Sequence, residues 1–392
     1  MRKKKLQYLT VQQLVFIVYF IITTAIFFFS VSLGNEGVTF QHFGGSDDGY
    51  FYWEQAKNVA KGNEWIRTSI FPLVAGTVMK VFGIQNVYLI RLMNYVVFML
   101  LVFFSMKTIK IEFEKSKYEI DPDKKYDARI LLLMMFMLYA SLQVNVNLSI
   151  YRDVWIYMLY VLSTYLSIKM IFYKNNRILY FFLMVLSVVF LGEFRGHAML
   201  SFLLALGLYF LYQRIKLLKN PSVVFVLGFL FFVLYYTFLM DFSIAGFSLR
   251  RALIYRSDAL DNFSGGSQMW INLDQPNFVL FFVNYFHSLI GNLIGPLPWH
   301  ISGSSTLIVF FVETIPMVII LRSLWKNRAM LSEIQRYILL QAFVWIGIVG
   351  VMNDNMGTAT RLRTISWILI LIVFTVTYYE SQNVKKEGIL DD

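Results

Sequence analysis

Residues 12–33 read QQLVFIVYFIITTAIFFFSVSL, an apolar stretch without a charged residue. A helix needs about 20 apolar residues to cross a bilayer, so this stretch is long enough to span a membrane. The basic residues 2–5 precede it, and no small-residue cleavage site is evident. This pattern predicts a retained signal anchor with its N-terminal tail in the cytosol.

The composition of the whole chain agrees with a membrane location. Of its 392 residues, 58% are hydrophobic and only 15% are charged, whereas about a quarter of the residues of a soluble domain are charged. Nine further apolar segments follow the first, at 87–106, 129–146, 154–171, 178–191, 199–212, 222–240, 307–321, 337–352 and 364–379. We therefore predict an all-α, polytopic integral membrane protein with about 10 transmembrane helices.

The distribution of basic residues predicts the orientation. With ten spans and both termini in the cytosol, 23 of the 35 Lys and Arg residues lie on the inner side, as the positive-inside rule expects. Residues 277–300 could form an eleventh span. The inner side would then hold only 19 of the Lys and Arg residues, and the outer side would hold 16. We therefore favour a helix that re-enters or lies on the outer surface. Multi-pass insertion in the plasma membrane explains the net charge of +11 better than nucleic-acid binding does, and lipid headgroups are the expected partner.

The segments outside the bilayer predict one membrane domain, 1–392, with three notable loops. Residues 34–86 form a first outer loop with two surface helices, and residues 107–129 form a cytosolic loop. Residues 241–304 form a second outer loop that holds the re-entrant helix. Short helices in the first loop lie on a membrane because they are too short to cross it.

Candidate functional residues gather on the predicted outer side. Asp47 and Asp48 begin a helix in the first loop, where one carboxylate suffices as an N-terminal cap. Tyr52 and Gln55 share a helix face with Asp48. Arg152 at the start of a span is unfavourable for the helix dipole, which indicates a carboxylate or phosphate partner.

Other polar residues lie at the joints between spans. Asp153 suits a helix cap, and Glu193 has a structural alternative in an ion pair with Arg195. Arginine matches the geometry of phosphate groups. The remaining candidates on this side are Arg361, Arg363, His197 and His287.

The sequence lacks the motifs that are typical of several classes of enzyme. The sequence has no phosphate-binding Gly-Lys-Ser/Thr loop, no His-Glu-x-x-His and no Gly-x-Ser-x-Gly. It has no cysteine, and its histidines lack metal-ligand spacing. A divalent cation held by Asp47 and Asp48 is the one candidate cofactor, because carboxylate oxygens bind such cations.

The pattern resembles the GT-C superfamily of membrane glycosyltransferases, in its protein-mannosyltransferase-like and aminoarabinose-transferase-like branch. The resembling features are Asp47-Asp48 after the first span, the helices at 50–62 and 71–83, Arg91, and Arg361-Leu-Arg363 before the last span. The acidic pair is Asp-Asp here instead of the familiar Asp-Glu. Arg152-Asp153, Arg195 and Gly295-Pro-Leu-Pro-Trp299 are similar to features of polysaccharide repeat-unit polymerases.

This resemblance implies transfer of a sugar from a polyprenyl-(pyro)phosphate carrier to a glycan or lipid acceptor at the outer face, usually with inversion. Asp48 would be the general base and Asp47 would position the acceptor or a metal. The carrier phosphate would be held by Arg152, Arg195, Arg361 and Arg363. Substrate binding would involve Tyr52, His197 and His287. The alternative is a secondary transporter or a flippase for lipid-linked sugars, which would have polar residues near the midplane and similar halves.

Overall fold

The computed structural model describes residues 2–40, 48–243, 248–262 and 267–386. Helices make up almost all of the regular structure in these ranges, and only two isolated β-bridges occur. In chain order the helices are α1 (Arg2–Ser32), α2 (Asp48–Lys61), α3 (Phe71–Phe82), α4 (Val87–Glu114), α5 (Pro122–Leu138), α6 (Ala140–Asn147), α7 (Asp153–Phe172), α8 (Arg177–Phe194), α9 (Gly196–Arg214), α10 (Pro221–Phe238), α11 (Leu249–Asn262), α12 (Phe278–Ile294), α13 (Ser304–Val309), α14 (Ile315–Lys326), α15 (Glu333–Met352) and α16 (Met356–Lys386).

The lengths and apolar character of these helices confirm an all-α, multi-pass membrane protein. In the described part of the chain, 8 helices can cross a bilayer, or up to 9 if α5 and α6 form one span bent by 65°. The predicted segment at 222–240, the seventh of the ten, corresponds to α10. Its described apolar part, Val226–Phe238, is shorter than a full span. Each predicted segment is therefore helical, while the count that length and composition support is eight or nine.

The chain forms two compact units, and α15 and α16 contribute to both. The first unit comprises residues 1–196, 326–335 and 371–392. In it, α7 packs against α4 and α8, and α1 packs against α4 and α5. Tyr19 of α1 stacks on Phe98 of α4 at 3.9 Å between ring centroids. Its hydroxyl donates to the carbonyl of Phe136 in α5 at 2.8 Å, so one side chain joins three helices.

Arg91 of α4 holds two loop segments of the first unit together. Its side chain is 2% exposed. Its guanidinium donates to the carbonyls of Gly37 at 2.8 Å and Val38 at 3.0 Å, and to those of Asn147 at 2.6 Å and Leu148 at 3.3 Å. A buried guanidinium requires acceptors for its five N–H groups, and these four carbonyls accept four hydrogen bonds from it. The chain that leaves α1 is thereby joined to the end of α6.

Helices α2 and α3 lie in the segment predicted to carry two surface helices, and they cross closely at Gly76. A Cβ at Gly76 would lie 2.5 Å from the Cβ of Val59 and 2.6 Å from the carbonyl oxygen of Ala56. Only glycine permits this approach. Helix α3 ends at Gly83, whose φ of 66° is in the left-handed region that glycine adopts most readily.

The second unit comprises residues 197–325 and 336–370, and Arg256 of α11 lies in its interior. This side chain is 1% exposed, while Arg250 and Arg251 are exposed. Its guanidinium pairs with Asp354 at 2.5 Å and donates to the carbonyl of Ile271 at 2.9 Å. Burial lowers the pKa of Arg256 to about 10, against the opposing effect of Asp354. Arg256 thus joins helix α11 to the segments around Ile271 and Asp354.

Candidate functional site

The first turns of α2 contain the earliest of the predicted functional residues. Asp48 is the first residue of α2 and is exposed to solvent, where the positive end of the helix dipole favours a carboxylate. Asp47 lies outside the described residues, so its predicted role stays a prediction. Tyr52, one turn after Asp48, is only 3% exposed. Its ring packs edge-on against Phe71 with centroids 5.3 Å apart.

Arg152 lies over the ring of Tyr52, immediately before α7. The guanidinium carbon is 5.6 Å from the ring centroid, within the range of a cation–π contact. One N–H of Arg152 donates to the carbonyl of Thr68 at a long 3.4 Å. The Nε of Arg152 is buried and has no hydrogen-bond partner among the described residues. The buried ring of Tyr52 therefore supports Arg152, and the predicted contact of Tyr52 with the substrate stays a prediction.

Asp153 and Arg195 form the next pair in this cluster. Asp153 begins α7 and is completely buried, and its carboxylate lies 3.4 Å from the guanidinium of Arg195. The Arg195 side chain is 10% exposed. Arg195 has extended backbone between α8 and α9, and its N–H donates to the carbonyl of Leu191 at 2.8 Å. The pair joins the start of α7 to the end of α8.

Glu193 pairs with Arg67, and not with Arg195 as the sequence suggested. The two side chains lie 2.5 Å apart and are both exposed. The backbone N–H of Ile70 also donates to the carbonyl of Glu193, at 3.0 Å. These bonds attach the segment between α2 and α3 to the end of α8. Residues 126 positions apart therefore meet, and nothing in the local sequence around Arg67 indicates that it joins the cluster.

The cluster of the first unit thus contains three acidic and three basic side chains. They are Asp48, Asp153, Glu193, Arg67, Arg152 and Arg195. The guanidinium of Arg152 lies at the N-terminus of α7, where backbone N–H groups and the helix dipole also favour an anion. Within the described part of the chain, no three acidic or histidine side chains converge as metal ligands. The cation site at Asp47 and Asp48 therefore stays a prediction.

The other predicted residues belong to the second unit. His197 stacks on Trp345 with centroids 5.6 Å apart and planes at 8°. The Nε2 of His287 accepts a hydrogen bond from the indole of Trp299 at 2.9 Å, and its ring stacks on His300 at 5.4 Å. Arg361 is half-buried on α16.

Arg363 is enclosed by the second unit. Its side chain is completely buried, and it donates to the carboxylate of Glu313 and to the carbonyl of Gly295. Glu313 lies in a π-helical turn, Phe310–Thr314, between α13 and α14. The structure thus shows Arg363 in a buried ion pair, and breaking such a pair costs about 3–5 kcal/mol. Its predicted role in binding the carrier phosphate stays a prediction. Comparisons with protein-family models, curated proteins and solved structures find no match to this chain.

Proposed function

We propose that the protein is a membrane glycosyltransferase that takes a sugar or oligosaccharide from a polyprenyl-(pyro)phosphate carrier. The observation that supports this most is the position of Arg152 in the cluster of the first unit. Its guanidinium lies over the Tyr52 ring, one helical turn from Asp48, and its buried Nε has no acceptor among the described residues. An anionic phosphate would supply that acceptor, and the exposed Asp48 carboxylate would serve a neighbouring hydroxyl.

In the proposed reaction, a carboxylate acts as the base and the arginines stabilise the phosphate. Asp48 takes the proton of an acceptor hydroxyl while the oxygen forms a bond to the anomeric carbon of the sugar. The bond between that carbon and the carrier phosphate breaks, and the phosphate keeps the electron pair. Arg152 and Arg195 stabilise the negative charge that develops on it. Asp153 positions Arg195, and Tyr52 positions Arg152.

The predicted contacts of Arg361 with the carrier phosphate, and of His197 and His287 with the substrate, stay predictions, and no step above depends on them. A divalent cation at Asp47 and Asp48 remains a candidate, and no step above depends on it. The acceptor is a glycan or a lipid, and either a single transfer or the polymerisation of repeat units fits the same roles. The positive-inside distribution supports a plasma-membrane location with cytosolic termini and with the cluster at the outer face.

Binding of the carrier tests the role of Arg152. We expect Arg152→Ala to weaken the binding of polyprenyl phosphate by about tenfold or more, because a hydrogen bond to a charged group contributes about 1.5–3 kcal/mol. The purified protein would be titrated in detergent with polyprenyl phosphate. Arg250→Ala is the matched control, since Arg250 is exposed and pairs with Asp241. Unchanged affinity in a folded Arg152→Ala variant would remove Arg152 from the site.

The buried pair of Glu313 and Arg363 favours a second candidate, a transporter or flippase for lipid-linked sugars. Charged groups inside a membrane span are functional candidates, and π-helical turns often occur at functional sites. Reconstituted vesicles would distinguish the two functions. Movement of a lipid-linked sugar between leaflets without any transfer to an acceptor would favour the transporter.

A further inference from the structure

In the second unit, the two ends of the segment from residue 267 to residue 300 lie close to each other, beside Gly291. It consists of an extended arm at 267–277, helix α12 and the short turn Pro298–His300. A Cβ at Gly291 would lie 2.8 Å from the Sδ of Met269 and 3.4 Å from the Cε1 of His300. The start of the arm and the turn after α12 therefore both contact the last part of α12.

Helix α12 runs in the same direction as α15. Three hydrogen bonds join side chains of α12 to successive carbonyls at the end of α15: Tyr285 to Gly347 at 2.9 Å, Ser288 to Gly350 at 2.7 Å and Asn292 to Asn353 at 3.0 Å. Because both residue series increase together, the two helices are parallel. The arm runs the opposite way along α12, since the Asn284 amide donates to the carbonyl of Asn272 at 2.8 Å.

The surface of α12 that faces away from α15 carries exposed apolar side chains. The helix contains no Asp, Glu, Lys or Arg, and its single histidine, His287, accepts a hydrogen bond from Trp299. Val279, Val283 and Phe286 are 67%, 58% and 55% exposed, and their spacing of four and three residues places them on one stripe. The 17 residues of α12 extend about 25 Å. This is shorter than the hydrocarbon core of a bilayer, which is about 30 Å thick.

Two exposed tryptophans lie where the arm starts and where the turn ends. Trp270 and Trp299 are each 68% exposed. Trp270 has a left-handed φ of 58°, and its N–H donates to Asp354 at 2.9 Å. The Arg256–Asp354 pair thus fixes a backbone conformation that an aromatic residue rarely adopts. His287 fixes the ring of Trp299 through the indole N–H.

We propose that residues 267–300 form a re-entrant hairpin that binds the lipid leaflet on the side where α15 ends. The stripe of Val279, Val283 and Phe286 contacts acyl chains, and Trp270 and Trp299 lie at the membrane–water interface. Lipid is the partner that fits because the stripe belongs to an uncharged helix parallel to a membrane span. Indole rings also concentrate at that interface. The arm is compatible with this depth because protein packs against it.

The absence of cysteine from the chain allows a direct test of the hairpin. Single cysteines would be introduced as Arg251→Cys before the arm, Ser302→Cys after α12 and Ala329→Cys before α15, all at exposed positions. A membrane-impermeant maleimide would then label sealed vesicles from one side. We expect positions 251 and 302 to react from the same side and position 329 from the other. Labelling of 251 and 302 from opposite sides would show that α12 crosses the membrane and would overturn the proposal.

Fluorescence quenching by brominated phospholipids tests the lipid contact. The protein would be reconstituted in bilayers with bromine near the headgroup end or near the middle of the acyl chains. We expect Trp270→Phe and Trp299→Phe each to remove a component that headgroup-proximal bromine quenches most strongly. Trp345→Phe is the control, because Trp345 is completely buried. If the removed components were quenched by aqueous iodide and not by brominated lipid, the tryptophans would face water or another ligand, and the lipid surface would be wrong.

Discussion

Replacement of Arg91 by methionine should release the loop that carries Asp48. Arg91 is 2% exposed and donates to four backbone carbonyls, which belong to the segment after α1 and to the end of α6. A methionine fills a similar volume but donates to none of these carbonyls, of which Leu148 alone keeps a backbone donor, the N–H of Phe40 at 3.0 Å. An unsatisfied buried acceptor costs about 1–3 kcal/mol. Since water can reach some of them after the loop relaxes, we expect a total loss of about 3–5 kcal/mol.

Thermal unfolding of the detergent-purified protein, followed by intrinsic tryptophan fluorescence, measures this loss. Trp53 and Trp65 lie in the affected loop and report on it directly. Limited proteolysis should cut between α1 and α4 faster in Arg91→Met than in the wild type. Arg91→Lys should recover only part of the stability, because an ammonium group cannot reproduce the planar fork. An unchanged unfolding temperature together with unchanged proteolysis would refute the role that we assign to Arg91.

Two further predictions concern packing and pH. Gly76→Ala should destabilise the protein by about 1–3 kcal/mol in the same unfolding assay, because its Cβ would clash with α2. Gly207→Ala is the control, since no atom lies within 4 Å of its Cβ, and it should be neutral or slightly stabilising. Burial lowers the pKa of His300 from 6.5 to about 4. The unfolded state therefore binds more protons between these values, and His300 contributes stability above pH 6.5 that is lost as the pH falls toward 4. His300→Gln should flatten this part of the curve of stability against pH, and an identical curve would contradict the assignment.

The sequence predicted where the helices lie along the chain, but it did not predict where a helix bends. Each of the ten apolar segments is helical, because runs of apolar residues without charge favour helices in a membrane. The bend at Tyr139 was not predicted, since neither glycine nor proline marks it. There the backbone of Tyr139 is extended, and Gln143 donates to the carbonyl of Met137 at 3.1 Å. A nearby side chain thus compensates for the broken helix in a way that apolar periodicity does not reveal.

The candidate site was predicted by residue type and not by pairing. Arg152 was expected to need a carboxylate or phosphate partner because it lies at a helix N-terminus. The structure shows it over the ring of Tyr52, and the anionic partner stays a prediction. The pairing of Glu193 with Arg67 depends on how the segment between α2 and α3 packs against the end of α8, which is information from distant parts of the chain. Arg363 was predicted to bind phosphate because it lies with Arg361 between the last two spans. Its pairing with Glu313, 50 positions away, was not predicted, because a sequence gives burial only for regular patterns.

Sugar transfer by purified Asp48→Asn protein tests the central claim most directly. Wild-type protein in detergent would be supplied with polyprenyl-linked sugars and with candidate glycan or lipid acceptors, and product formation would be followed by mass spectrometry. We predict that Asp48→Asn lowers turnover by about 10²–10⁴-fold, the usual contribution of a general base, while binding of the carrier is unchanged. Glu64→Gln, at an exposed carboxylate in the same loop, should retain full activity. Wild-type turnover in a folded Asp48→Asn variant would contradict the proposed mechanism.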